Sequence, residues 1–219
     1  MVVADIYSEV NLTEEQLAEE REVYGGLADA VRSINEASLR TTVDPVRVAQ
    51  ARAKLAEADA LLRSEMIPDS FGVQLNSDGS VRAYGNAVVG MRNPIAVPLH
   101  TERSDDGRAW SRFHLNAVYE GPPTLVHGGV SALIMDQIMG EAAAAGGRPG
   151  MTAYLTTHYR KPTPLGDLEA SAWIDSTDGI KTFVKGQLGP VGGEPTIETE
   201  GLFIMPKWAR EVISPSRFE

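Results

Sequence analysis

One segment of the chain carries a histidine, two glycines and an aspartate at a spacing suited to chemistry at a carbonyl carbon. His127, Gly128 and Gly129 stand just before an apolar run, and Asp136 lies within that run. Backbone N–H groups at a helix start lack intrahelical acceptors and lie at the positive end of the dipole, so they can hold an oxyanion. A carboxylate inside an apolar helix is a candidate base or nucleophile, because burial disfavours its charged form. The pattern indicates acyl transfer, although an aspartate that only bonds a neighbouring loop or subunit is the structural alternative.

The spacing of these residues also predicts how many chains the site needs. Gly129 and Asp136 are separated by roughly 10 Å along a helix axis, whereas a reacting acyl carbon needs its attacking group and its oxyanion donors within about 3 Å. The helix is apolar nearly all round, so a sheet on one side leaves a second face to be covered. We expect a homodimer in which the amides of one subunit face Asp136 of the other. Pairing of dimers into a homotetramer is left open.

The elements that must position this motif follow from the hydrophobic pattern. Period-two alternation predicts strands before and after one long helix, and the last four strands read as a meander. The predicted strands cover residues 81–89, 108–118, 152–160, 168–175, 180–188 and 196–205, and the helix covers 129–145. Because a single helix is flanked by so much sheet, we predict an α+β fold with a curved antiparallel sheet wrapped around it.

The first third of the chain is predicted to be a two-helix extension, residues 1–68, ahead of a main domain at 69–219. Thr13 and Gln16 have capping-box spacing, and Asp44-Pro45 is typical of a helix start. The Gly25-Gly26 pair is expected to kink or loosen the first helix. We interpret the two helices as a hairpin that packs on the main domain or on a partner subunit.

Composition excludes several classes of function. The 219 residues contain no cysteine and carry a net charge of −10, which rules out disulfides and thiolate chemistry and disfavours general nucleic-acid binding. No apolar run is long enough to span a membrane, and the start lacks the basic and apolar regions of a signal peptide, so we expect a cytoplasmic protein. The histidines outside the motif show no ligand spacing with carboxylates, so no metal site is predicted.

Over residues 80–205 the chain resembles the hotdog-fold acyl-CoA thioesterases of the phenylacetate-pathway (PaaI-like) family. The resemblance rests on Tyr-Glu-Gly-Pro-Pro at 119–123, Val-His-Gly-Gly at 126–129, Asp136, Met-Thr-Ala at 151–153 and Tyr-Arg-Lys-Pro-Thr-Pro-Leu at 159–165. It implies that Asp136 is the general base or nucleophile and that amides around Gly128 and Gly129 polarise the thioester carbonyl. It also implies that His127 orders the loop beside them and that Thr152 orients the water or the carboxylate. One departure is Gly121, where bacterial members often carry asparagine.

The predicted substrate is an acyl-CoA, so no separate cofactor is expected. Arg160, Lys161 and Arg148, with Lys181 nearby, are candidates for the coenzyme A phosphates. Asn93, in the proline-marked loop 92–98, is a further candidate for substrate binding. The leading hypothesis is thioester hydrolysis; the alternative is a non-catalytic acyl-CoA-binding or sensor protein on the same scaffold. A hydratase is less favoured, because the His-Gly-Gly motif and the aspartate on the helix belong to the hydrolase branch.

Overall fold

The computed structural model describes residues 7–76, 81–97 and 99–212. In chain order its elements are β1 (Tyr7–Val10), α1 (Glu14–Arg40), α2 (Pro45–Leu62), β2 (Val73–Asn76), β3 (Val81–Arg82), β4 (Glu102–Ser104), β5 (Arg108–Leu115), α3 (Gly128–Ala145), β6 (Met151–Tyr159), β7 (Gly166–Asp178), β8 (Lys181–Pro190), β9 (Ile197–Ile204) and α4 (Lys207–Val212). Strands β4 to β9 form an antiparallel sheet in the order β4-β5-β7-β8-β9-β6.

Helix α3 lies against this sheet and supplies the centre of the core. Ile134, Met135, Ile138 and Met139 are fully buried at helical spacing and pack against β5, β7, β8 and β9. Burying side chains of this size stabilises the fold by about 1.5–3 kcal/mol each, which is why the apolar run forms one helix under one sheet. The hotdog fold predicted from the sequence is confirmed. The opposite face of the helix stays open in the single chain, since Leu133 is 41% exposed.

The strand order corrects the predicted meander. Of the last four strands, β7, β8 and β9 follow one another as neighbours, whereas β6 lies at the sheet edge beside β9. The reason is that β5 pairs along β7 from Arg108 opposite Trp173 to Leu115 opposite Gly166. With both sides of β7 occupied, β6 takes the free edge of β9.

The predicted strand at 81–89 is also wrong beyond Arg82. The Asn86 side chain accepts hydrogen bonds from the N–H groups of Val88, at 2.7 Å, and Val89, at 3.1 Å. Such local side-chain bonds compete with strand pairing, and the chain turns here instead. Val88 from this segment and Val97 from the loop that follows it still join the buried core.

The N-terminal extension contains a strand as well as the two predicted helices. Strand β1 pairs in parallel with β2, which pairs with β3. This small sheet links residues on both sides of position 68/69, and the domain division proposed there stays a prediction.

Both helix starts in the extension are confirmed. Thr13 and Gln16 form a reciprocal capping box, and Asp44 Oδ1 accepts from the N–H groups of Val46 and Arg47. Helix α1 runs through Gly25 and Gly26 without interruption, and the kink or loosening expected there stays a prediction. Gly25 lets the helix approach Met91, whose sulfur would lie 3.4 Å from an added Cβ.

The two helices differ in how they pack. Helix α1 buries Leu17 and Ala28 and is tied to the 93–96 loop by Arg32, which donates to the carbonyls of Asn93 and Ala96. Helix α2 buries no residue, and every residue from 37 to 70 is exposed. Within one chain, therefore, only α1 packs on the main domain as predicted. In the described residues no helix combines the length and the apolar character that crossing a membrane would require.

Candidate active site

The Asp136 carboxylate is held by a hydroxyl from the neighbouring edge strand. Thr152 Oγ1 donates to Asp136 Oδ1 at 2.7 Å. Asp136 lies on the open face of α3 and is half-buried rather than buried. The expectation of a desolvated carboxylate is therefore wrong for the single chain, because the sheet covers only the other side of the helix. Within the described part of the chain, Oδ2 has no hydrogen-bond partner.

The helix start has a different hydrogen-bond pattern from the one that two free glycine amides would give. His127 caps the helix: its carbonyl accepts from Val130 and Ser131, and its Nδ1 accepts from the Gly129 N–H at 3.0 Å. Because Nδ1 accepts this bond, the neutral ring carries its proton on Nε2. Among the first four amides of α3, the N–H of Gly128 alone lacks a partner in the described structure. The donor available for an oxyanion is thus Gly128 N–H.

Gly121 packs directly against the capping histidine. A Cβ on Gly121 would lie 2.7 Å from His127 Cα, closer than carbon atoms can approach without a shift. The loop between them closes through an isolated bridge of Glu120 with Val126, and Thr124 has a φ of 66°. Its N–H is bonded by Glu120 Oε1 at 2.7 Å. Glycine at position 121 therefore lets this loop pack closely against His127, where a side chain would not fit without a shift.

Sequence reasoning missed Tyr159, which contacts this helix start. Its hydroxyl donates to the Gly128 carbonyl oxygen at 2.8 Å, and its ring would lie 3.3 Å from a Cβ on that glycine. The motif at 159–165 includes this tyrosine, but no role was predicted for it, because an aromatic residue at the end of a strand is common. The contact depends on the edge position of β6.

The candidate phosphate-binding cations lie at two ends of the sheet. Arg160 and Lys161 follow β6 and pair with Glu198 and Glu194. The hydrogen bond from Lys161 lowers the pKa of the exposed Glu194 carboxyl below its ordinary value. Arg148 lies at the other end of β6, where it bonds the Thr182 hydroxyl at 3.0 Å and the carbonyls of Gly179 and Lys181. Nine strand residues separate the two groups, roughly 26 Å, so one chain does not bring them to the same phosphate.

The remaining candidate, Asn93, uses its side chain within its own loop. Its Nδ2 donates to the Gly85 carbonyl and its Oδ1 accepts from Ile95, both at 3.1 Å. Its predicted role in substrate binding stays a prediction. In the described ranges, no group of three or more histidine, aspartate or glutamate side chains is arranged to hold a metal ion.

The comparisons with known proteins agree with this fold and motif. The family model described as the thioesterase superfamily matches residues 124–188, from Thr124 in the loop before α3 to Leu188 in β8. The chain is 36% identical over 77 residues to the acyl-coenzyme A thioesterase THEM4 of Xenopus laevis, covering 35% of either protein. It is 30% identical over 106 residues to THEM4 of Bos taurus, covering 47% of this chain and 43% of that protein. The match thus spans less than half the length of these curated relatives.

A solved structure extends the similarity over most of the chain. The crystal structure of a thioesterase superfamily protein superposes on this chain with a TM-score of 0.74, and the two sequences are 32% identical. The alignment covers 83% of this chain and 94% of that one, so it includes much of the N-terminal extension as well as the hotdog domain. This chain therefore belongs to the thioesterase superfamily.

Proposed function

We propose that the chain hydrolyses an acyl-CoA thioester to a free acid and coenzyme A. The observation that carries the proposal is that one helix presents both a carboxylate oriented by Thr152, Asp136, and an amide without a partner among the described residues, Gly128 N–H. The two groups supply what thioester hydrolysis needs: a carboxylate to activate the attack and a donor to hold the oxyanion. The names of the THEM4 relatives support acyl-CoA as the substrate class.

The proposed site lies between two copies of the chain. Gly128 and Asp136 are eight residues apart, about 12 Å along one helix, so they cannot act on one acyl carbon from the same helix. The open face of α3, with Leu133 exposed, supports a second copy packed there. In such a homodimer, Gly128 N–H of one protomer faces Asp136 of its partner. A homotetramer of such dimers and a cytoplasmic location also stay predictions.

Two routes of hydrolysis fit this proposed site. As a general base, Asp136 Oδ2 accepts a proton from water while the water oxygen bonds to the thioester carbon. The oxyanion is held by Gly128 N–H, and its collapse breaks the C–S bond and releases coenzyme A as a thiolate, which is then protonated. As a nucleophile, the carboxylate bonds to the carbon itself, and the C–S bond breaks to release coenzyme A as a thiolate, which is then protonated. Water hydrolyses the resulting anhydride to the free acid and the regenerated Asp136 carboxylate. A single turnover in H₂¹⁸O tests for the nucleophilic route, because label enters Asp136 only when water attacks the aspartyl carbon of the anhydride.

The experiment that tests the function is thiol release from a panel of acyl-CoAs. Asp136→Asn should reduce kcat by a hundredfold or more, whereas Asp167→Asn, an exposed carboxylate on β7, should leave it unchanged. Equal release by the wild type and Asp136→Asn would overturn the assignment. Tight acyl-CoA binding without release by the wild type would favour the non-catalytic sensor.

A further inference from the structure

We infer that Tyr159 is a positioning residue for the oxyanion site, acting through the peptide group that joins Gly128 and Gly129. The inference rests on the proposed thioester hydrolysis, and it assigns a role to a residue outside the predicted site. Its two supports are a hydrogen bond and a ring contact, both directed at the first residue of α3.

The hydrogen bonds show that one peptide plane is held at both ends. The carbonyl of this peptide belongs to Gly128 and accepts from the Tyr159 hydroxyl at 2.8 Å. Its N–H belongs to Gly129 and donates to His127 Nδ1 at 3.0 Å. With an acceptor on one side and a donor on the other, the plane cannot rotate without losing a bond.

Two glycines at a helix start need this restraint. Glycine has access to more backbone conformations than any other residue, and helix ends fray. The Tyr159 ring limits that freedom by occupying the side where a Cβ would be, with ring atoms 3.3 Å from that position. The restrained plane directly follows the peptide whose N–H belongs to Gly128, so Tyr159 fixes the direction of the proposed oxyanion donor.

One strand contacts both groups that a chain contributes to the two proposed sites of the dimer. Strand β6 bonds Asp136 through Thr152 near its start and Gly128 through Tyr159 at its end. Tyr159 is 55% exposed and therefore adds little to the core. Loss of its hydroxyl should disturb the geometry of the helix start more than the stability of the fold, and errors of an ångström at a reacting centre are costly in rate.

The test compares Tyr159→Phe with Tyr154→Phe. Tyr154 is a half-exposed tyrosine on the same strand whose hydroxyl has no hydrogen bond within the described part of the chain. For acyl-CoA hydrolysis we expect Tyr159→Phe to lower kcat about fivefold to tenfold with KM within about twofold, and Tyr154→Phe to change neither. The melting temperature of both variants should stay within about 2 °C of the wild type. An unchanged kcat in Tyr159→Phe, or an equal fall in both variants, would overturn the inference.

A second measurement works without turnover. Amide hydrogen exchange at Gly129, followed by NMR, should speed up severalfold in Tyr159→Phe and stay unchanged in Tyr154→Phe. Unchanged exchange in Tyr159→Phe would show that the hydroxyl does not hold this peptide and would overturn the inference. A wild-type chain that hydrolyses no acyl-CoA would remove the proposed function instead, and the exchange rates would still report on the Tyr159 contact.

Discussion

Thr152 and Asp136 are joined by a 2.7 Å hydrogen bond between the edge strand β6 and the open face of helix α3. The threonine hydroxyl occupies Oδ1, so Oδ2 is left to accept a further hydrogen bond. The two residues are 16 positions apart, and the 146–150 turn leads β6 back along α3, so that the start of the strand lies beside the middle of the helix. The middle of the helix and the start of the next strand thus form one unit in the proposed mechanism.

Replacing Thr152 by valine should remove this hydrogen bond while keeping the side-chain shape. We expect kcat for acyl-CoA hydrolysis to fall about tenfold, since hydrogen bonds to charged groups contribute roughly 1.5–3 kcal/mol and this one is exposed. Thr152→Ser keeps the hydroxyl and should recover most of the rate. Thr156→Val, on the same strand, is the matched control, and an effect of similar size there would contradict a specific role for Thr152.

The proposed oxyanion donor can be deleted without removing any hydrogen bond that the described structure contains. Gly128 is the first residue of α3, its N–H has no partner among the described residues, and His127 before it has φ −61° and ψ 130°. Proline is tolerated at this helix position, and a residue before proline favours this extended conformation. Gly128→Pro should therefore fold and lower kcat by roughly 10²–10³-fold.

The control is Gly128→Ala, which introduces the same 3.3 Å contact with Tyr159 but keeps the N–H. It should retain far more activity than the proline variant. Equal losses in the two variants would assign the effect to crowding at Tyr159, and the proposed oxyanion donor would have to be another group.

Gly121→Asn should not improve the enzyme, although asparagine is common there among bacterial members of the resembling family. The new Cβ would lie 2.7 Å from His127 Cα, so the loop or the helix cap must move. Forcing extra atoms into such a contact costs about 1–3 kcal/mol, or a fall in melting temperature of roughly 5 °C. Calorimetry and kcat should fall together, and an asparagine variant with raised kcat and wild-type stability would contradict this packing argument.

The attachment of α1 depends on a buried ion pair. Arg82, with 5% of its side chain exposed, makes a two-pronged hydrogen bond with Glu20, and its guanidinium lies 4.5 Å from the centre of the Tyr84 ring. Glu20→Gln leaves this cation without its counter-charge and should lower the free energy of unfolding by about 3 kcal/mol. Glu22→Gln, at an exposed position two residues on, should change it by less than 0.5 kcal/mol. Equal denaturant midpoints for the two variants would show that the pair does not anchor the helix.

Much of this fold could be predicted because its signals are local. The capping pairs Thr13–Gln16 and Asp44–Pro45, the apolar helix and the alternating strands after it depend on neighbours within a few residues. The strand order could not be predicted, because the alternation of polar and apolar residues shows which face of β6 is polar but not that β5 already pairs with the edge of β7. The parallel pairing of β1 with β2 was hidden for the same reason.

The candidate site was predictable in its residue types but not in its hydrogen bonds. Helix rules indicate free amides at both glycines, yet the capping residue is a histidine whose Nδ1 accepts from Gly129. Because the Gly129 N–H already donates to the histidine, the proposed oxyanion donor is the Gly128 N–H. Tyr159 reaches that glycine only because its strand lies at the sheet edge, a consequence of tertiary structure that no local pattern carries.

The dimeric site makes the strictest prediction, because it can be tested by mixing two inactive chains. Gly128→Pro removes the proposed donor and Asp136→Asn the proposed carboxylate, so each homodimer should be inactive. If Gly128 of one protomer acts with Asp136 of the other, a mixed dimer contains one site with both lesions and one intact site. Unfolding and refolding an equimolar mixture gives half mixed dimers, so activity should return to roughly a quarter of the wild-type value, assuming random association. The control is to mix the two variants after separate refolding, under conditions in which subunits do not exchange. If activity does not return after joint refolding, either both groups act within one chain or the helices do not pair in this way.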